Sequence, residues 1–229
     1  MDKSNEQNAL EMLDRKIADG REYRRTHSFE VREAQEGEEA EKVVRGYATV
    51  FNEDYLLYDW GDYKVYERVD PHAFDDCDMD DVIMQYDHHG RVFARNTNDT
   101  LRVAPDEKGL SVEADLGGTE IGRQLYEEIA GGYTTKMSFG FRVAEDKREV
   151  VNDHESNMTT VYRTITKISK LFDVSAVSLP ANDATEISAR SYCDGVIAEL
   201  EAERLRAEQL TLNRKRAELR ARALIGGKA

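Results

Sequence analysis

The stretch TEIGRQLYEEIAGGYTTKMSFGFRV, residues 119–143, carries both periods that a folded chain uses. In its first half Ile121, Leu125 and Ile129 recur four residues apart. Thr119 precedes them as a helix N-cap, and the Gly131–Gly132 pair ends the run. In its second half the period drops to two, and Ser138 stands as a small polar residue between apolar neighbours on a strand. Outward lie further segments of strand character: SFEVRE (28–33), VVRGYATVF (43–51), KVYERV (64–69), VIMQYDHH (82–89), RVFAR (91–95), TLRVA (100–104) and LSVEADL (110–116) before it, TVYRTITKI (160–168) and KLFDVSAVSLPA (170–181) after it. One helix among so many short strands predicts the α+β class. The expected architecture is a mostly antiparallel β-barrel with one internal helix, a sandwich being the alternative.

The two ends read differently. Residues 4–19 predict a helix, with Ser4 and Gln7 at capping-box spacing, Leu10, Leu13 and Ile17 on one face, and Gly20 as its stop. Residues 186–224 hold no Pro and a single Gly, Gly195, and predict a C-terminal helix. Ala198, Ala202, Leu205, Leu212, Leu219 and Ala223 follow a four-three seam, which Gln209 and Arg216 interrupt. Such a helix either packs on its own domain or pairs with a partner or a second copy. The expected division is therefore 1–27 as N-terminal helix and linker, 28–185 as the folded body, and 186–229 as a basic helical tail.

Composition narrows the class. The 229 residues carry a net charge of −14, and mean hydropathy is −0.69. From Arg190 onward nine basic residues face six acidic ones, so the body before it carries −17. An acidic body repels phosphates, which argues against nucleic-acid binding. No apolar run reaches the roughly 20 residues of a membrane span, and MDKSNEQNALEML lacks the pattern of a secretory signal. Cys77 and Cys193 are too few for a disulfide scaffold or a four-cysteine zinc site. A soluble intracellular protein is expected.

Several residues could carry chemistry. Of the five histidines, His88 and His89 end a convincing strand, and alternation puts them on opposite faces. A serine such as Ser138 needs a base within hydrogen-bond reach, and a histidine base needs a third group to orient it. Asp173, an acid inside the apolar strand LFDVSAV, calls for a histidine or arginine partner. Lys136 would share the face of Ser138 and offers an alternative base. In DPHAFDDCDMDD, Asp76, Asp78 and Asp80 imitate the first ligands of a calcium loop and Asp87 its twelfth position. Asp81, however, occupies the place of the required Gly, so a solvated acidic loop without metal is expected. Cys77 lies among aspartates that disfavour its thiolate.

Taken in order, these segments resemble the prohead (capsid maturation) protease family of tailed bacteriophages, a fold similar to that of the herpesvirus assemblin proteases. The likeness runs from about Phe29 to Ala184. It rests on GYATVFN (46–52), VDPHAF (69–74), YDHHGRVFARNTNDTLRVAPDEKGL (86–110), IGRQLYEEIAGG leading into MSFGF, and LFDVSAVSLPA. It implies that the family's histidine falls on His88, its serine on Ser138 and its acidic third member on Asp173, where the family commonly shows Glu. The function implied is a serine endopeptidase without cofactor or metal, acting inside the phage procapsid in the bacterial host cytoplasm. Its implied substrates are scaffolding protein, major capsid protein and the protease itself. The competing class is a non-enzymatic capsid-assembly or scaffolding protein with an inert body and an adhesive helical tail.

Overall fold

The computed structural model describes residues 19–31, 41–153, 155–178 and 183–226. Apart from Asp19, the predicted N-terminal helix lies outside them. The chain divides into two compact units, Met1–Arg190 and Ser191–Ala229.

The first unit is built on two long strands, β10 (Lys136–Asp153) and β11 (Met158–Val177), paired antiparallel in a hairpin. Around them run β1 (Glu22–Ser28), β2 (Glu30–Val31), β3 (Val43–Val50), β4 (Tyr55–Trp60), β5 (Tyr63–Val69), β6 (Ile83–Tyr86), β7 (His89–Arg95), β8 (Leu101–Pro105) and β9 (Gly109–Asp115). One sheet has the order β1-β10-β11-β5-β4, with β6 on β11 and β7 on β6. The other is β2-β3-β9-β8. Among the described strands the parallel pairings are those of β5 and β6 with β11; β5 is antiparallel to β4 and β6 to β7. The α+β class and the antiparallel bias follow the sequence expectation. No closed barrel is found among the described residues, so the barrel is not confirmed. Phe29 alone separates β1 from β2, and so the chain passes directly from one sheet to the other.

Alternation decides which way each long strand faces. Met137, Phe139 and Phe141 of β10 and Val174 and Ala176 of β11 are buried in the core. They meet Val44, Ala48, Leu110 and Val112 of the second sheet there. Helix α1 (Glu120–Ala130) adds Leu125, Tyr126 and Ile129, and Thr119 caps it by accepting from the Gly122 amide at 3.0 Å. Fully burying an apolar side chain of this size stabilises by roughly 1.5–3 kcal/mol. The core therefore fixes the phase of both strands, and with it the opposite face of β10 and β11, which carries Ser138, Gly140, Asp173 and Ser175.

The structure departs from the sequence reading in five places. β1 runs through EYRRTHS, a stretch read as polar linker, and β4 occupies the unassigned YLLYDW. The strand at 136–143 continues to Asp153, and the two segments at 160–181 form one strand as far as Val177. The segment VIMQYDHH is not one strand. It turns at Asp87 and His88. The last element, α2 (Asp183–Gly226), is helical where a helix was expected.

Candidate active site

The turn between β6 and β7 sets the position of His88. Tyr86 pairs with His89 across a two-residue loop, and both loop residues have positive φ, 49° at Asp87 and 60° at His88. This is the backbone of a type I′ hairpin, which Asn-Gly usually supplies. A histidine in left-handed backbone costs on the order of 1 kcal/mol, so neighbours must hold it. Asp87 does so at the base of the turn. Its carboxylate accepts from the Ser178 amide at 3.0 Å and the Ser178 hydroxyl at 2.8 Å. Its own amide donates to the Ala176 carbonyl at 2.9 Å.

The imidazole then lies between two side chains far away in sequence. His88 Nδ1 is 2.5 Å from Asp173 Oδ1, and Nε2 is 2.6 Å from Ser138 Oγ. A carboxylate only accepts, so Nδ1 carries the proton toward Asp173, and Nε2 faces the serine hydroxyl as an acceptor. All three are dry: His88 and Asp173 are 1% exposed and Ser138 0%. The Tyr23 ring of β1 packs 4.4 Å from the imidazole, centroid to centroid. Burial and the neighbouring Asp173 push its phenol well above the ordinary range, so it stays neutral.

The strand register brings the acid and the serine together. Gly140 pairs with Asp173 and Ser138 with Ser175. A Cβ on Gly140 would stand 2.5 Å from Asp173 Oδ2 and 2.8 Å from the Tyr23 ring, so the site has room for the carboxylate only because position 140 has no side chain. Arg21 approaches Asp173 Oδ2 at 3.9 Å and lies over the Phe172 ring at 3.6 Å. Ser138 has a second partner, donating to the Arg24 carbonyl of β1 at 3.0 Å. One hydroxyl proton thus has two acceptors.

Of the residues singled out in the sequence, His88 contacts both Ser138 and Asp173. His89 is not with them: it is exposed at the start of β7, with Nδ1 2.7 Å from the Asp87 carbonyl. The expected alternation across residues 82–89 fails because the strand ends at Tyr86. Lys136 is half-buried at the start of β10, where it pairs with Val177. Burial, aided by Asp78, pushes the Cys77 thiol up to about 11, which removes it as a nucleophile near neutral pH.

Three aspartates of the acidic loop are paired with basic residues of the same protein. Asp76 pairs with Lys167 at 2.8 Å, Asp81 with Arg95 at 2.6 Å, and Asp78 with Lys170. No group of three potential metal ligands occurs among the described residues. Sequence reasoning missed Tyr23, Asp87, Gly140 and Ser175. Gly140 and Ser175 had a local signal, since they follow Ser138 and Asp173 at the strand period of two.

The arrangement can pass the serine proton to an imidazole that a carboxylate orients, which is the chemistry of acyl transfer. Comparison with known proteins agrees with that class. The model of the caudovirus prohead serine proteases matches residues 27–195, more than half of the chain, and includes all three side chains. No curated protein and no solved structure matches. On that match, and with this geometry inside it, the chain belongs to the caudovirus prohead serine protease family.

Proposed function

We propose that Ser138 is the nucleophile, His88 the general base and Asp173 the orienting acid of an endopeptidase that processes capsid components during procapsid maturation. The observation that supports this most is the unbroken line from Asp173 Oδ1 through the imidazole to Ser138 Oγ, at 2.5 and 2.6 Å. His88 takes the Ser138 proton as Oγ attacks a peptide carbonyl, and then returns it to the leaving amine. Water, activated by the same nitrogen, releases the acyl group. Asp173 keeps the proton on Nδ1 and stabilises the imidazolium. When His88 holds a proton on both nitrogens, the Ser138 hydroxyl turns to the Arg24 carbonyl and is unavailable for attack. Activity therefore falls on the acid side.

The substrates we propose are scaffolding protein, a scaffold-like segment of the major capsid protein, and the protease itself, within the procapsid in the bacterial host. Ser138 is fully buried, so a peptide must displace the cover of the site before reaching Oγ. Enclosure in a shell raises the effective concentration of substrate and favours that step. The tail serves as a tether. From residue 203 to 221 every position is exposed, and Leu205, Leu212 and Leu219 remain open to pairing. A basic tail held to an acidic partner releases as salt rises, because the screening length is about 8 Å at physiological ionic strength.

The experiment is co-expression with a scaffold-derived substrate. The wild-type chain is expected to cleave the substrate and shorten itself, while Ser138→Ala does neither. Undiminished cleavage by Ser138→Ala would overturn the serine reading, whereas an absence of cleavage by the wild-type chain would leave the non-enzymatic assembly role as the better reading of the body. Truncation after Ala198, which retains the buried Ala189, Cys193 and Val196, is expected to preserve cleavage and abolish packaging into procapsids.

A further inference from the structure

We infer that Ser175 is a positioning residue that fixes the Asp173 carboxylate for His88; this rests on the reading of Ser138 and His88 as nucleophile and base. Ser175 lies two residues beyond Asp173 on β11, so both side chains share one face. It stands opposite Ser138 in the β10–β11 register and is 0% exposed. Its hydroxyl donates to Asp173 Oδ1 at 2.9 Å, the same oxygen that faces His88 Nδ1. A buried hydroxyl without a partner would be costly, and here its proton goes to the acid.

That bond has two consequences. The first is geometric. A carboxylate rotates about its last bond, and Arg21 attracts it from the Oδ2 side at 3.9 Å. Ser175 holds the other oxygen in place, so that Oδ1 stays in line with the imidazole. The second is electrostatic. A hydroxyl proton on Oδ1 draws off part of the negative charge and so weakens the carboxylate's grip on the imidazolium. With Ser175 present, His88 is oriented while the hold of the carboxylate on its proton is moderated.

The test uses the full chain as wild type, Ser175→Ala, Ser175→Thr and Ser138→Ala, with a scaffold-derived peptide assayed across the neutral pH range. Ser175→Ala is expected to lose roughly tenfold in kcat at unchanged KM. The acid limb of its pH profile should move to higher pH, since the carboxylate then holds the imidazolium proton more tightly. Ser175→Thr keeps the hydroxyl and is expected to restore both. A loss of packing alone would lower the folded fraction without moving the limb. A second reading needs no activity: with Ser138→Ala as background, adding Ser175→Ala should move the NMR titration of the His88 ring to higher pH. Should Ser175→Ala fail to fold, Ser175→Cys, a weak donor of similar size, replaces it with the same two readings. Wild-type kcat and an unmoved acid limb in Ser175→Ala, beside an inactive Ser138→Ala, would overturn the role of Ser175 alone. Full activity in Ser138→Ala would overturn the serine reading and, with it, this one.

Discussion

Tyr23 and Arg24 are neighbours on β1, yet each serves a different buried polar cluster. Tyr23 packs on His88 beside Ser138 and Asp173. The Arg24 side chain binds Glu67 at 2.6 and 3.0 Å and Glu22 at 2.5 Å. Arg163 reaches both of those glutamates and Asp146, and Tyr55 donates to Glu67. The centre of each cluster is buried, Arg24, Glu67 and Arg163 in the one and His88, Ser138 and Asp173 in the other, and each joins β1 to β11. They differ in what their protons can do. Burial alone would push Glu67 up, but Arg24 and Arg163 outweigh it and hold the carboxyl down at about 2. Burial likewise works against the charge on Arg24, and Glu67 and Glu22 overcome it. Every proton there is locked near neutral pH, whereas the other cluster is centred on a histidine, the side chain that ordinarily titrates near neutrality. Buried charge alone therefore does not mark a site of chemistry. The marker is a proton with two places to go.

Substitutions in the two clusters should separate along that line. The largest effect is expected from His88→Ala, on the order of 10⁴-fold or more in turnover with the fold intact, whereas exposed His89→Ala stays near wild type. The reverse pattern in a peptide-cleavage assay would move the base to His89. Asp173→Asn comes next, at roughly 10²- to 10⁴-fold, because the amide offers a donor to Nδ1 and favours the wrong tautomer. Wild-type rates there would reduce Asp173 to a structural partner.

Gly140→Ala pushes a methyl toward Asp173 Oδ2 and displaces the acid, at about 10²-fold in kcat. An unchanged rate would show that the carboxylate has slack. Glu67→Gln breaks the comparison from the other side. It should cost about 3–5 kcal/mol in urea denaturation, because two buried guanidinium groups lose their shared anion. The pH profile of cleavage by the folded variant should not move. Since the Glu67 carboxyl is lower in the folded state than its ordinary 4.5, its contribution is present above that value. It is lost as pH falls from about 4.5 toward 2, and a flat denaturation midpoint through that window would contradict the network's role. The smallest effect is expected from Thr119→Ala, about 1 kcal/mol of stability at the cap of α1 with no change in rate.

The sequence made one cluster legible and hid the other. Thr119, the apolar face of α1 and the alternation of MSFGF are local signals, and the structure keeps each of them. The ion network has no such signal. EYRRT reads as linker because Arg24 becomes a core residue only when Glu67, 43 positions away, reaches it. The outer half of β10, AEDKREVVND, is charged and mostly exposed, so its strand character comes from hairpin pairing rather than from burial. The turn at Asp87–His88 was masked by an unbroken run of strand formers, with Asp-His in place of Asn-Gly. Ser138, His88 and Asp173 could be named from the family likeness. The turn that aims His88, the glycine that admits Asp173 and the hydroxyl that holds it depend on register, and register was not readable before the strands were paired.

The central claim is that Ser138 Oγ becomes covalently acylated while His88 carries its proton. The most direct measurement is acid quenching of a scaffold-derived peptide mixed with the full chain during the first turnovers, followed by intact and peptide-level mass spectrometry. An acyl adduct on Ser138 is expected, present in wild type and absent in Ser138→Ala. An adduct on another residue, or cleavage of the peptide by Ser138→Ala at the wild-type rate, would contradict it.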